Sequence, residues 1–334
     1  MNLQNNNRLN YAKISNYKVI LRFVLTWFIT ISILLIIFSR IRLADVFVLI
    51  KQTDIKFLCT GILFSVFAHL LLSSARYQKV VEVMGCRLSF FEAVIIRMGS
   101  NPIKGILPFK MGELAIAAYM KKMHNLSYPE GFVSISFGYF FSFIALIVFY
   151  SLGGIFYLHS RIQRLIFTVV FLLILLLIPL SIRHIPRLPA WFLKKIRKLP
   201  EESTPLFEKY DSGTINIIML HSLGIEGLKL LIIQIILKSF SIDIPVNALL
   251  FLGSATIIAA YLPITYWGLG IRETAILFLF SDYAPPDKLL AASLLITFVD
   301  SVLPVLLGLF FVKPFLDSLW GSKKTGADIV SKDV

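Results

Sequence analysis

The chain has 334 residues, 57% of them apolar and only 16% charged, with a mean hydropathy of +0.81. A soluble domain carries about 25% charged residues, so a soluble globular fold is excluded. The net charge of +14 is read as anchoring to an anionic membrane leaflet, and no nucleic acid is expected as a partner, because no RNA-binding motif or soluble basic domain accompanies it.

Residues 1–18 read as a cytoplasmic tail, with Arg8, Lys13 and Lys18. The apolar run 19–38 is longer than a signal-peptide core of about 7–15 residues, and Ser39-Arg40-Ile41 offers no small-residue cleavage site. It is expected to be an uncleaved first span. Further spans are predicted at 57–75, 130–158, 162–182, 214–237 and 287–312. Cys59 and Cys86 show no CxxC spacing, so neither a disulfide framework nor a metal site is indicated.

Two apolar stretches are too broken to be single spans. The first, 88–123, is interrupted by Gly99, Pro102, Gly105, Pro108 and Gly112, and contains Arg97, Asn101, Lys104, Lys110 and Glu113. The second, 246–280, has Leu262-Pro263, Gly268 and Gly270, then Arg272-Glu273 opening an apolar helix. Irregular backbone at membrane depth survives only when buried in protein or lining a wet cavity. Both stretches are read as re-entrant helical hairpins. Three spans separate them, an odd number, which places them on opposite faces of the bilayer as an inverted repeat of the kind many transporters share.

The expected organisation is therefore an all-α polytopic membrane protein of about six spans plus two re-entrant hairpins. A first repeat, 19–182, and a second, 214–312, flank a basic interfacial connector, 183–213, and a cytoplasmic tail follows at 313–334. With both termini inside, the cytoplasmic segments hold more than twice the Lys and Arg of the outside ones, as the positive-inside rule requires. In the connector, PRLPAWFLKKIRKLP reads as a short basic helix lying on an anionic leaflet.

Ionisable residues at membrane depth are costly, and a functional role is their default reading. The candidate substrate-binding residues are Arg97, Asn101, Glu113, Arg272, Glu273 and Asp300. Two arrangements are open. Arg272 with Glu113, or Glu273 with Arg97, would lock the two hairpins together; alternatively Arg97 and Arg272 would hold a lipid phosphate through bidentate, charge-assisted bonds, with backbone N–H groups at Gly112 and Gly270 adding to the attraction. Lys104 and Lys110 are read as a snorkelling pair. Asp300, deep in the sixth span, needs a partner. Glu226 and Lys229, at i and i+3, are expected to pair with each other, and His69 and His221 to make helix-packing hydrogen bonds. The sequence has no G-x-x-x-x-G-K-[ST], H-E-x-x-H or G-x-S-x-G pattern, and no cofactor is expected.

The run Asn101-Pro102, Leu107-Pro108, Gly112-Glu113, followed by Gly268-Leu269-Gly270-Ile271-Arg272-Glu273, resembles the membrane domain of the lysylphosphatidylglycerol synthase/flippase family, over roughly residues 20–312. The resemblance implies a protein of the cell membrane that moves a phospholipid or polyprenyl-linked lipid between leaflets. The cytosolic aminoacyl-transferase domain of the two-part enzymes is not expected here, so neither is lysyl-lipid synthesis. Where the family often has a basic residue after the Gly-Glu pair, this chain reads Leu114-Ala115-Ile116, which leaves the head group open. An integral-membrane transferase and an accessory subunit in glycolipid or polysaccharide assembly are the alternatives.

Overall fold

The computed structural model describes residues 24, 28, 31–37, 48–51, 53–105, 112–184, 212–262, 264–265 and 268–320, with backbone alone at 175–184 and 212. The tails 1–18 and 321–334, most of the connector, Leu107, Pro108, Lys110 and Pro263 lie outside the described residues. The described residues form helices and no strand, an all-α membrane fold.

Helix α1 (Ile55–Val83) starts at Asp54, whose carboxylate accepts the Lys56 N–H. Helix α2 (Phe90–Gly99) starts at Ser89, whose hydroxyl accepts the Glu92 N–H; the short α3 (Asn101–Lys104) follows it. Helix α4 (Glu113–His124) ends at Asn125, in a left-handed conformation with φ 56°. A reciprocal cap between Ser127 and Glu130 opens α5 (Tyr128–Tyr157). Then come α6 (Arg161–His184), α7 (Ser212–Ser239), α8 (Val246–Tyr261), α9 (Ile271–Leu279) and α10 (Pro286–Trp320). Three of these helices loosen into π turns, at Phe67–Leu72, Leu249–Gly253 and Phe298–Val302.

Length separates the helices that are long enough to cross from those that are too short. A bilayer core of about 30 Å needs about 20 helical residues at 1.5 Å each. Helices α1, α5, α7 and α10 exceed that and are apolar enough to span. Helices α2, α4 and α9 have 10, 12 and 9 residues, a rise of only about 14–18 Å each. They reach about half-way.

Helix α5 shows from which end each broken stretch arrives. Helix α4 ends beside its start, with Gly131 packed on Ala117, and begins where Glu113 accepts the Tyr139 hydroxyl. Helix α8 begins beside the other end of α5, where Asn247 donates to the Phe156 carbonyl and Gly153 packs on Leu250 and Phe251. It finishes at Tyr261, whose ring meets Tyr139 edge-on at 6.4 Å. The two stretches thus enter from opposite ends of α5 and meet at Tyr139. Both stretches also meet on helix α10: Asn101 of the first donates to the Pro304 carbonyl, and Arg272 of the second reaches Asp300, one turn away.

Close approach rests on glycines. A Cβ on Gly308 would run into the Met98 carbonyl and lie 2.7 Å from Pro102; one on Gly99 would lie 2.6 Å from the Phe311 carbonyl. Small residues let membrane helices touch where no hydrophobic force drives them together. Gly112 crosses directly over the Lys104 backbone, closing the first hairpin. In the second, Gly268 and Gly270 hold φ of 71° and 83°, values that side-chain-bearing residues rarely adopt. Apolar packing of Leu230, Ile232 and Ile236 on α7 against Leu252, Ile276 and Val299 surrounds the junction.

Two predicted boundaries are corrected. The second span does not stop at 75 but runs as helix to Val83, and the sixth continues past 312 to Trp320. In α1 the apolar pattern ends at Arg76, yet the helix goes on because Arg76 finds buried hydroxyl partners instead of water.

Candidate functional site

Three polar clusters line the level where the hairpins meet. In the first, Glu113 opens α4 and is buried. One of its oxygens accepts the Tyr139 hydroxyl at 2.6 Å and pairs with Lys104 Nζ at 3.1 Å. The other lies 3.9 Å from Arg97 NH1, the outer limit of an ion pair. Arg97 also donates from Nε to Ser73 at 3.3 Å, and its guanidinium lies 5.7 Å from the centre of the Tyr77 ring.

The second cluster joins α9, α10 and α1. Arg272 donates to Asp300 at 3.3 Å, to Ser301 at 3.0 Å and to Thr297 at 3.3 Å. Asp300 also meets His69 Nε2 at 3.3 Å. His69 and Asp300 both sit in π turns, a local widening that recurs at functional sites, and Ser65 pins the two helices by donating to the Val299 carbonyl at 2.6 Å. Glu273 accepts the Gly270 N–H and the Thr297 hydroxyl, each at 2.6 Å. Its carboxylate therefore holds the helix start in shape.

Between them lies the third. Glu226 and Lys229 of α7 pair at 3.4 Å, and the Tyr261 hydroxyl accepts from Lys229 at 2.6 Å and donates to Glu226 at 2.8 Å. The Tyr139–Tyr261 ring contact links this triad to the first cluster.

The structure brings Arg97 and Glu113 together, and separately Arg272, Glu273 and Asp300. Asn101 joins neither: it braces the first hairpin against α10 and touches Met98 sulfur at 3.8 Å. The predicted locks between hairpins are corrected, since Arg97 pairs with Glu113 and Arg272 with Asp300. Each arginine finds a carboxylate inside its own half, at shorter reach than one across the junction. Lys104 does not snorkel; buried Glu113 draws it inward. The Gly270 N–H is occupied by Glu273 and is not offered to an anion. Asp300 has its partners, and the Glu226–Lys229 pair and the inter-helix bond of His69 are as expected. His221 instead bonds Ile217 of its own helix.

Sequence reasoning missed Arg76, Tyr139, Tyr261 and Thr297. Arg76 carried a weak signal, a cation two residues beyond Ser73-Ser74 at the point where the apolar run of the second span ends. The tyrosines carried none, because each resembles any interfacial aromatic.

A family profile described as the lysylphosphatidylglycerol synthase TM region matches residues 19–308. No curated protein matches the chain.

Proposed function

The chain belongs to the lysylphosphatidylglycerol synthase TM-region family, and from that premise we propose that it is a flippase-like lipid translocase. It would move an anionic or modified phospholipid, or a lipid-linked metabolite, between leaflets. One observation carries the reading: two charged half-crossing stretches enter from opposite ends of α5 and meet at Tyr139 and Tyr261. Discontinuous helices that meet near mid-membrane are the plan on which alternating access is built in many transporters.

The ion pairs supply a mechanism. The close partners of Glu113 are Lys104 and Tyr139, while Arg97 stands off at 3.9 Å. A substrate phosphate approaching Arg97 competes with a weak contact, and a planar guanidinium favours phosphate by bidentate bonding. On the other side Arg272 is shared among Asp300, Thr297 and Ser301. Phosphate displacing Asp300 from Arg272 would loosen α9 from α10 as the first hairpin re-forms its pair. In this reading the Tyr128 end of α5, both termini and the basic connector face the cytoplasm, as the Lys and Arg distribution asks. A transferase would need Glu113 or Asp300 as general base, but each is engaged by cations, so the translocase reading is preferred.

In vesicles reconstituted with the purified chain, Arg272→Ala and Glu113→Ala are each expected to abolish leaflet exchange of a fluorescent anionic phospholipid without unfolding the protein. Wild-type exchange rates in both would end the proposal.

A further inference from the structure

Arg76 is buried on α1, at 8% exposure, and no described carboxylate stands within ion-pair reach of it. Its NH1 donates to two neutral hydroxyls, Ser142 at 2.7 Å and Ser222 at 3.1 Å. Glu226 attracts it from further off but is committed to Lys229 and Tyr261. Arg97 stands near enough to repel it. Among the described residues Arg76 and Arg97 thus line one cleft, while Glu113 and Glu226 are each paired with a lysine, so positive charge is in surplus where water is scarce. A buried guanidinium with only neutral partners is costly unless an anion completes it.

The space for that anion adjoins the arginine. A cleft lined by Ser73, Arg76, Arg97, Gly138 and Tyr139, among others, encloses about 270 Å³ with its open mouth included, and has room for about one water. Gly138 keeps it open: a Cβ there would lie 3.5 Å from Arg76 NH2, so any larger side chain would fill the space. A pocket that narrow takes one oxygen of a tetrahedral anion, with the rest of the group at the mouth.

We propose that the cleft between α1 and α5 is a subsite for a phosphoryl oxygen of a phospholipid head group, with Arg76 and Arg97 as its two cations. That the phosphate arrives on a lipid rests on the translocase reading; the anion preference rests on the two arginines alone.

The test is equilibrium binding of phosphatidylglycerol to the full chain in phosphatidylcholine nanodiscs, read as lipid retained per protein by mass spectrometry. Arg76→Gln is expected to weaken retention at least tenfold, Gly138→Leu to do the same with every charge in place, and Arg76→Lys to fall between. Arg161→Gln, on an exposed residue at the start of α6, should bind as wild type. Should Arg76→Gln fail to fold, Gly138→Leu decides. Wild-type retention in Gly138→Leu, or in a folded Arg76→Gln, overturns the subsite. Inorganic phosphate displacing the lipid at millimolar concentration would assign the cleft to the free anion and overturn it too. The two readings fail separately: wild-type protein that exchanges no lipid but binds through Arg76 refutes translocation and leaves the subsite, and exchange with Arg76-independent binding does the reverse.

Discussion

A lysine between a proline and a glycine at the end of an apolar helix is ordinarily a snorkelling side chain, but Lys104 turns inward because Glu113 is buried within 3.1 Å. Removing one partner of a buried pair leaves an uncompensated charge, at a cost of about 3–5 kcal/mol. Glu113→Gln keeps an acceptor for Tyr139 but removes the negative charge that Lys104 and Arg97 share. It is expected to lower the unfolding free energy in detergent by about 3 kcal/mol, and adding Lys104→Met should recover part of the loss. A second residue-scale prediction concerns His124, at the end of α4. Hydrogen bonds to Cys86 and Glu92, the latter at 2.7 Å, push its pKa from 6.5 up to about 9. A raised folded-state value means that the imidazolium is stabilised by folding. Its contribution is fully present below pH 6.5 and is lost as pH climbs through about 9. The thermal midpoint should fall between those values, and His124→Gln, which leaves Glu92 and Tyr119 in place, should flatten that part of the profile.

At the scale of the element, the first hairpin is held by glycine contacts as well as by large buried side chains, Ile96, Ile116 and Met120 among them, packed with Phe315. The missing side chain of Gly308 admits Met98 and Pro102, and the first atom a Cβ would strike there is the Met98 backbone carbonyl, which yields less readily than a side chain. Gly308→Leu is expected to cost about 1–3 kcal/mol and to part α2 from α10, read as lower thermal stability and faster proteolysis near Gly105. Gly227→Ala, whose new Cβ would meet the Phe149 ring at 3.6 Å, an ordinary contact distance, should be tolerated in the same measurement. The second hairpin uses glycine for conformation: with φ 83° and Ile33 2.8 Å from a would-be Cβ, Gly270→Ala should lose about 1–3 kcal/mol. Neither reason for glycine was visible from composition, although the clustering of glycines and prolines did mark both stretches as broken.

For the whole molecule the decisive arrangement is the approach of the two broken stretches from opposite ends of α5 and their stacking along α10, at Pro304 and Asp300. Sidedness follows and is testable. In a background lacking Cys59 and Cys86, Glu82→Cys, near the end of α1, should react only with a membrane-permeant maleimide in intact cells. Asp282→Cys, just after α9, should react with an impermeant one. Labelling of both from the same side would refute opposed approach. The charge pattern along the chain leads to the same expectation, since the cost of moving Lys and Arg across a bilayer is paid segment by segment and so is written locally.

What the amino-acid order determined by itself was whatever depends on runs of neighbours: helices, because lipid leaves the backbone no other partner, the long spans, because apolar length must match the bilayer, and the breaks, because proline and glycine interrupt helices locally. Only the tertiary structure decided which charges meet. Arg97 and Glu113 lie close in sequence, but Arg272 found Asp300 rather than Glu113, and Arg76 found Ser142 and Ser222 rather than water. At membrane depth a charge takes whatever partner packing brings within reach, and sequence spacing does not record distances between helices.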